Sequence, residues 1–272
     1  MFKVGFIGVG NMGGALASSV AKIEDVSSVF LANRSSEKAK VLKEKIGKKS
    51  RISTNIEAAQ ECDFIFLGVK PNVVSNVLSE ISEVLSTRHK NGETFVLVSM
   101  AAGVTLDKIN QFAGVIPTIR IMPNTPVSIG EGVTLMCNKG VEEKFLDDFK
   151  TIMQKTGNVF ELEEELMDAG TALSGCGPAF VYMFADAIAS GGEKLGIDAQ
   201  LSKELALSTI IGSSKLAYSK FDETLESLKD AVCSPGGATL KGVEVLDRAS
   251  FATIAEDAIQ AACKRSKELA EA

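Results

Sequence analysis

The sequence contains a single histidine, His89, and that scarcity is informative. His89 lies in "STRHKNGE", read as a polar loop between a helix and a strand, and is expected to be solvated at the surface. Acid–base chemistry in this chain is therefore expected to work without imidazole. Cysteine is sparse as well. The five (Cys62, Cys137, Cys176, Cys233 and Cys263) are scattered, and no CxxC pair offers a zinc site or a redox dithiol, so no metal is expected. An odd count with no signal-peptide pattern points to a reducing, cytoplasmic setting. Basic runs are missing too. With a net charge of −6, nothing neutralises a phosphate backbone, and no nucleic-acid partner is expected. No uninterrupted apolar stretch approaches the ~18 residues of a membrane span, and even "PAFVYMFADAIAS" carries Asp186, so no membrane partner is expected.

What is present divides the chain in two. Up to about residue 163, short β-branched or aromatic runs ("KVGFIGV", "SVFLANR", "DFIFLGV", "TFVLVSM", "PTIRIM", "GVTLMC") are bounded by Gly, Pro or Asn. Amphipathic stretches such as "NVVSNVLSEISEVLS" and "EEKFLDDFKTIMQKTG" lie between several of them. That alternation predicts βαβ units, a doubly wound and mostly parallel sheet, and an α/β fold for residues 1–163. Beyond residue 166 the pattern is helical only, over about 167–196, 199–220, 223–233, 238–248 and 250–271. A second, all-helical domain is expected over 164–272, with the acidic "ELEEEL" at the boundary. The segment "GPAFVYMFADAIASGGEKLG" is apolar round most of its circumference and is expected to be buried on most sides, against a second copy of the chain or at the centre of its own bundle.

At the N-terminus "GVGNMG" (8–13) ends a strand and opens a helix, the context that gives a GxGxxG pattern meaning. Gly8 permits the turn, Gly10 leaves room for a pyrophosphate, and Gly13 lets helix and strand approach. With Val9, Asn11 and Met12 these residues form a dinucleotide phosphate loop at a helix N-terminus. The second strand ends in Asn33, Arg34, Ser35 and Ser36, where folds selective for NAD carry an acid. A guanidinium beside hydroxyls suits a 2′-phosphate, so NADPH is the expected cofactor, with NADH possible. Asn55 and the loop Val69–Lys70–Pro71 are expected on the adenosine–ribose side, and Ala101, Ala102 and Gly103 on the nicotinamide side. Lys70 itself could be a catalytic acid, a phosphate contact or a solvated side chain.

Between two helical patterns stands "SPGGAT" (234–239), a stiff proline, two adjacent glycines and a hydroxyl, where a plain turn could use almost any polar residues. Such a loop brings backbone close to a ligand. Taken with "GFIGVGNMGGAL", "GVKP", "RIMPNTP" (120–126), "SGCGPAF" (174–180) and the surrounding "DAVCSPGGATLKGVEVLD" (230–247), the chain resembles the Δ1-pyrroline-5-carboxylate reductases over essentially its whole length. The resemblance implies a Rossmann domain followed by a helical dimerisation domain. It also implies hydride transfer from NAD(P)H to a small cyclic imine, giving proline in the last step of its biosynthesis. Homodimers that can assemble as five into a decamer come with it. Ser234, Gly236, Gly237, Ala238 and Thr239 would then hold the substrate, its carboxylate on the backbone of Gly237, Ala238 and Thr239 with Ser234 assisting. By the same resemblance the Thr239 hydroxyl hydrogen-bonds the imine nitrogen and is the catalytic residue. Capping of the following helix is its alternative role.

Two departures are visible. Asp222 and Glu223 stand where relatives commonly place a glutamate followed shortly by proline, and neither is assigned a catalytic role. Cys176 replaces a frequent serine and is read as a small buried packing residue, with Ser174, Gly175 and Gly177 permitting close helix approach. Alternatives are a related two-domain NADP-dependent imine or 3-hydroxyacid reductase, to which "SPGGAT" is foreign, and a non-catalytic NADP-binding sensor.

Overall fold

A computed structural model describes residues 1–271. The first half alternates as expected: β1 (Phe2–Ile7), α1 (Asn11–Val20), β2 (Val26–Ala32), α2 (Ser36–Ile46), β3 (Ser50–Ile52), α3 (Asn55–Glu61), β4 (Phe64–Leu67), α4 (Pro71–Lys90), β5 (Val96–Ser99), α5 (Leu106–Ala113) and β6 (Thr118–Pro123). It closes with β7 (Gly132–Lys139), α6 (Glu143–Met153) and β8 (Gly157–Glu161). The sheet order is β3-β2-β1-β4-β5-β6-β7-β8. The first six strands run parallel in the doubly wound order of dinucleotide folds, β7 returns antiparallel to β6, and β8 pairs parallel with β7.

Side chains of the central strands alternate between two cores, because successive residues of a strand face opposite sides. Phe6, Phe64, Phe66, Val96 and Val98 pack with Leu16 of α1 and Phe149 of α6. Ile7, Ile65, Leu67 and Leu97 pack with α3, α4 and α5 on the other face. Phe6 and Phe66 stack with ring centroids 4.6 Å apart, and Phe149 lies 6.2 Å from Phe66. With helices on both faces, β4 and β5 are buried at every position and read as unbroken apolar runs.

Two strands have no counterpart in the sequence reading. β3 is only three residues long, and β8 is an edge strand whose residues are mostly solvent-facing, so neither carries the apolar signal that betrays a strand. His89 is corrected as well: it occupies the last turn of α4, not a loop, although it is exposed as expected. Burial pushes the Cys62 thiol up and the Cys137 thiol to about 12, which keeps both neutral. Cys176 is half-buried, not buried.

The single helix expected over 167–196 is broken. A 3₁₀ turn at Glu164–Leu166 leads into α7 (Met167–Gly170), a π-helical turn at Thr171–Gly175 and then α8 (Gly177–Lys194). The Cys176 N–H donates to the Thr171 carbonyl at 3.0 Å, five residues back. The Ser174 carbonyl meanwhile accepts from Nδ2 of Asn124 at 3.0 Å. The α-helical donor for that carbonyl would be residue 178, a proline with no N–H, so the Asn124 amide satisfies it where the π turn, with its extra residue per turn, meets α8. A Cβ at Gly175 would stand 3.3 Å from Cγ2 of Thr171 in its own turn, and one at Gly177 would meet nothing within 4 Å, so neither glycine is needed for another helix to approach.

The remaining helices are α9 (Ala199–Ser219), α10 (Leu225–Ala231), α11 (Ala238–Arg248) and α12 (Phe251–Glu271). Asp198 caps α9, and the Thr224 hydroxyl caps α10, which excludes Asp222 and Glu223 from that helix. By compactness, Met1–Cys176 with the residues from Ala262 onward form one unit and Gly177–Ala261 a second. Within the second unit α8 buries only Ala185 and Ala189, and Tyr182 and Met183 are 60% and 72% exposed. A helix apolar all round is thus not enclosed by its own chain. By length and composition alone, the helical run Glu164–Lys194 is long and apolar enough to cross a membrane, a test that the core helix of a soluble protein also passes.

Candidate functional site

Register places four loops side by side. Ile7 at the end of β1 pairs with Ala32 at the end of β2 and with Leu67 at the end of β4, and Leu67 pairs with Ser99 at the end of β5. The segments 8–13, 33–36, 68–71 and 100–105 therefore leave the same edge of the sheet on adjacent strands. Carboxyl ends of strands in open parallel sheets are where ligands bind.

At the first loop Gly8 has φ +98°, a conformation that side chains resist. A Cβ there would lie 2.7 Å from the Gly68 carbonyl, and Cβ atoms on Gly13 or Gly68 would both collide with the Gly8 carbonyl oxygen. Gly68 was missed as a member of this knot, although "FLGVKP" displays it; only the pairing of β1 with β4 reveals its partner. Gly10, in contrast, meets nothing within 4 Å. It is the N-cap of α1 and provides no side-chain cap, so the first N–H groups of α1 face open space.

The second loop is held by Asn33, whose Oδ1 accepts from the Val9 N–H at 3.1 Å while Nδ2 donates to the Ser35 carbonyl at 2.9 Å. An amide at this position thus braces the first loop against the second, a role the sequence did not disclose. Arg34, Ser35 and Ser36 are exposed, Arg34 makes no hydrogen bond or ion pair among the described residues, and the start of α2 has no side-chain cap. A cation and free N–H groups together suit a phosphate dianion.

At the third loop Lys70 is the N-cap of α4, Pro71 its first residue, and Val69 is half-buried. The Lys70 ammonium is exposed and unpaired among the described residues, which fits a solvated or phosphate-facing group. Asn55 opens α3 and donates to Glu80 Oε2 at 2.7 Å. The preceding Thr54 forms a capping box with Glu57, and the Thr54 backbone N–H, then its hydroxyl, hold the Glu57 carboxyl below its ordinary range. In the fourth loop Ala101 is buried, Ala102 exposed, and Gly103 has φ +73°.

The glycine pair lies in the second unit. Gly237 N–H donates to the Ser234 carbonyl at 2.9 Å, closing a turn with Pro235 and Gly236 at its centre, Gly236 having φ +72°. This corrects one expectation: the Gly237 N–H is committed to the turn and is not free for a ligand. Gly237 is instead the N-cap of α11, with φ −73° and ψ 162° and no side-chain cap. The N–H groups of Ala238 and Thr239 therefore open the helix unclaimed. Any Cβ on Gly237 would come within 2.5 Å of Ser234 Oγ, so glycine is needed to keep that hydroxyl at the turn. Thr239 sits two residues beyond the cap and its hydroxyl has no partner among the described residues, which disposes of a capping role. An exposed hydroxyl is thus set beside two free N–H donors.

Comparison with known proteins identifies the family. The family described as NADP oxidoreductase coenzyme F420-dependent matches residues 3–103, and that described as Pyrroline-5-carboxylate reductase dimerisation matches 164–269. The pyrroline-5-carboxylate reductase of Arabidopsis thaliana is 36% identical over 277 residues, spanning 99% of this chain and 96% of that protein. The Synechocystis enzyme of the same name is 38% identical over 79% of this chain and 78% of its own length. Among solved structures, the Plasmodium falciparum pyrroline carboxylate reductase with NADP bound superposes with a TM-score of 0.85 at 34% identity, covering 99% of this chain and 98% of that one. A Coxiella burnetii pyrroline-5-carboxylate reductase superposes with a TM-score of 0.88 at 30% identity, covering 98% and 97%. With relatives above 30% identity matched over nearly their whole length, the chain belongs to the pyrroline-5-carboxylate reductase family.

Proposed function

We propose that residues of the 234–239 turn and the start of α11 hold 1-pyrroline-5-carboxylate while its C=N bond is reduced to give L-proline. Family membership makes the chain an NAD(P)H-dependent oxidoreductase acting on that bond. The observation that carries the site assignment is the uncapped start of α11, with the N–H groups of Ala238 and Thr239 free and the Thr239 hydroxyl unpartnered. Two free N–H groups at a helix N-terminus accept a carboxylate, and Gly236, Gly237 and Ser234 shape the turn that presents them. The Thr239 hydroxyl can then hydrogen-bond the ring nitrogen. Its pKa lies too far above neutrality for it to be the sole proton source, so it orients an iminium already protonated or passes on a proton from water.

For the cofactor, the residues present fit a dinucleotide: Gly10 opens on free space, the start of α1 is uncapped, and Arg34 is unpaired. NADPH would supply the hydride. Gly8 to Gly13 would carry its pyrophosphate, Arg34 with Ser35 its 2′-phosphate, Asn55 with Val69, Lys70 and Pro71 the ribose side, and Ala101 to Gly103 the nicotinamide. In this reading residues 1–163 are the nucleotide domain and 164–272 the helical domain. An Arg34→Ala enzyme should show a KM for NADPH raised about 10-fold or more, one charge-assisted contact being worth roughly 1.5–3 kcal/mol. Its KM for NADH should stay within twofold of wild type, and equal effects on both cofactors would refute the 2′-phosphate role.

The dimerisation domain supports a homodimer. Five dimers in a decamer, a cytoplasmic location and independence of nucleic acid and membrane complete the reading; sedimentation velocity tests the assembly. The decisive assay follows absorbance at 340 nm with the imine and each cofactor in turn. Oxidation of NADPH with 1-pyrroline-5-carboxylate but not with a 3-oxo acid is expected. No oxidation with either would leave a cofactor-binding sensor.

A further inference from the structure

The motif "RIMPNTP" contains a buried guanidinium. Arg120 is 3% exposed, and its Nη1 donates to Glu164 Oε1 at 3.0 Å. In β6 it is the register partner of Ser99, the last residue of β5. The same Oε1 atom of Glu164 accepts the N–H of Leu106, the first residue of α5, at 2.8 Å. One carboxylate oxygen thus ties a buried cation to the far end of the loop 100–105.

Other bonds and buried side chains hold that loop at its two ends. At the strand side the Met100 N–H reaches the Leu67 carbonyl at 3.2 Å and the Ala101 N–H reaches Ser99 Oγ at 3.4 Å. Across the loop, Val104 N–H meets the Ala101 carbonyl at 3.3 Å. On the helix side stand the Thr105 cap, the Asp107–Lys139 ion pair at 2.6 Å, the Leu106 side chain buried with Leu135, Cys137 and Met167, and Glu164, the group from 58 residues further along the chain that holds the first N–H of α5. Arg120 is held by Glu164 alone, its Nε buried without a partner among the described residues. A buried cation with one carboxylate has no alternative partner, so the carboxylate cannot wander, and neither can the Leu106 N–H bonded to it.

We infer that Glu164 and Arg120 are positioning residues for hydride transfer: the pair fixes the loop whose Ala101–Gly103 would face the nicotinamide. The inference rests on the cofactor placement given above. Hydride transfer is steep in donor–acceptor geometry, and displacement by about 1 Å can cost up to about 100-fold in rate. A tether on the loop therefore acts on the chemical step more than on affinity.

The test is single-turnover oxidation of NADPH by the full-length enzyme, expressed per bound NADPH so that misfolded protein does not count. Glu164→Ala should lower that rate about 10-fold or more. Glu164→Asp, which keeps the charge but falls one methylene short of Leu106, should lower it about 3-fold. Glu164→Gln, whose amide oxygen can still accept from both donors, should stay within about 3-fold of wild type. A rate per bound NADPH within twofold of wild type in Glu164→Ala overturns the inference; should that variant not fold, the same result in Glu164→Asp does so. Glu164→Gln as slow as Glu164→Ala also overturns it. Ala102→Leu separates the underlying placement: unchanged NADPH affinity and rate there would mean that the loop does not face the nicotinamide at all.

Discussion

A Thr239→Val enzyme should melt at the wild-type temperature and reduce 1-pyrroline-5-carboxylate with kcat/KM about 10- to 150-fold lower. The range is the value of one hydrogen bond to a charged group, roughly 1.5–3 kcal/mol. Stability should hold because the Thr239 hydroxyl accepts and donates nothing among the described residues and because the cap of α11 is Gly237. Valine keeps the branched shape and the helical preference of threonine. The Ala238 and Thr239 backbone N–H groups are untouched, so the carboxylate contact survives and the loss should fall chiefly on kcat. A variant with wild-type kcat would show that the imine nitrogen finds its partner elsewhere.

The second large effect is expected at the glycine knot. In Gly13→Ala the new Cβ meets the Gly8 carbonyl oxygen, a backbone atom that cannot rotate away, so β1 and α1 must separate. Overpacking of this kind costs about 1–3 kcal/mol, a fall in Tm of several degrees for a chain of this length. NADPH affinity should fall by about 100-fold or more, since shifting the start of α1 weakens at least two charge-assisted N–H contacts of roughly 1.5–3 kcal/mol each. Gly10→Ala provides the contrast. Its Cβ meets nothing in the protein, so Tm should not move, yet NADPH should bind more weakly because the methyl occupies the space of the pyrophosphate. Calorimetry with titration of NADPH reads both quantities. Normal NADPH binding by Gly10→Ala would place the pyrophosphate away from this loop.

Much of the site was legible because its signals are local. A strand, three spaced glycines and an amphipathic helix specify the tight turn into α1 within twenty residues, and "SPGGAT" specifies a turn and a helix start within six. Asn33 was legible as a missing acid but not as a brace, since its bond from Val9 needs the second strand to lie beside the first. The Gly237 N–H was expected to be free because a glycine before a helix usually exposes its donor. The turn closes on it because Pro235 and Gly236 bring the Ser234 carbonyl within 2.9 Å.

The sequence by itself determined the α/β half, the helical half and the glycine-lined turns, because periodicity and turn geometry are properties of short stretches. Only the tertiary structure decided that Gly68 locks against Gly8, that Glu164 joins Arg120 to Leu106, and that α8 presents an apolar face its own chain does not cover. Those facts depend on strand register and on which surfaces meet. Residues tens of positions apart become neighbours only when the whole sheet assembles, and no short stretch carries that information.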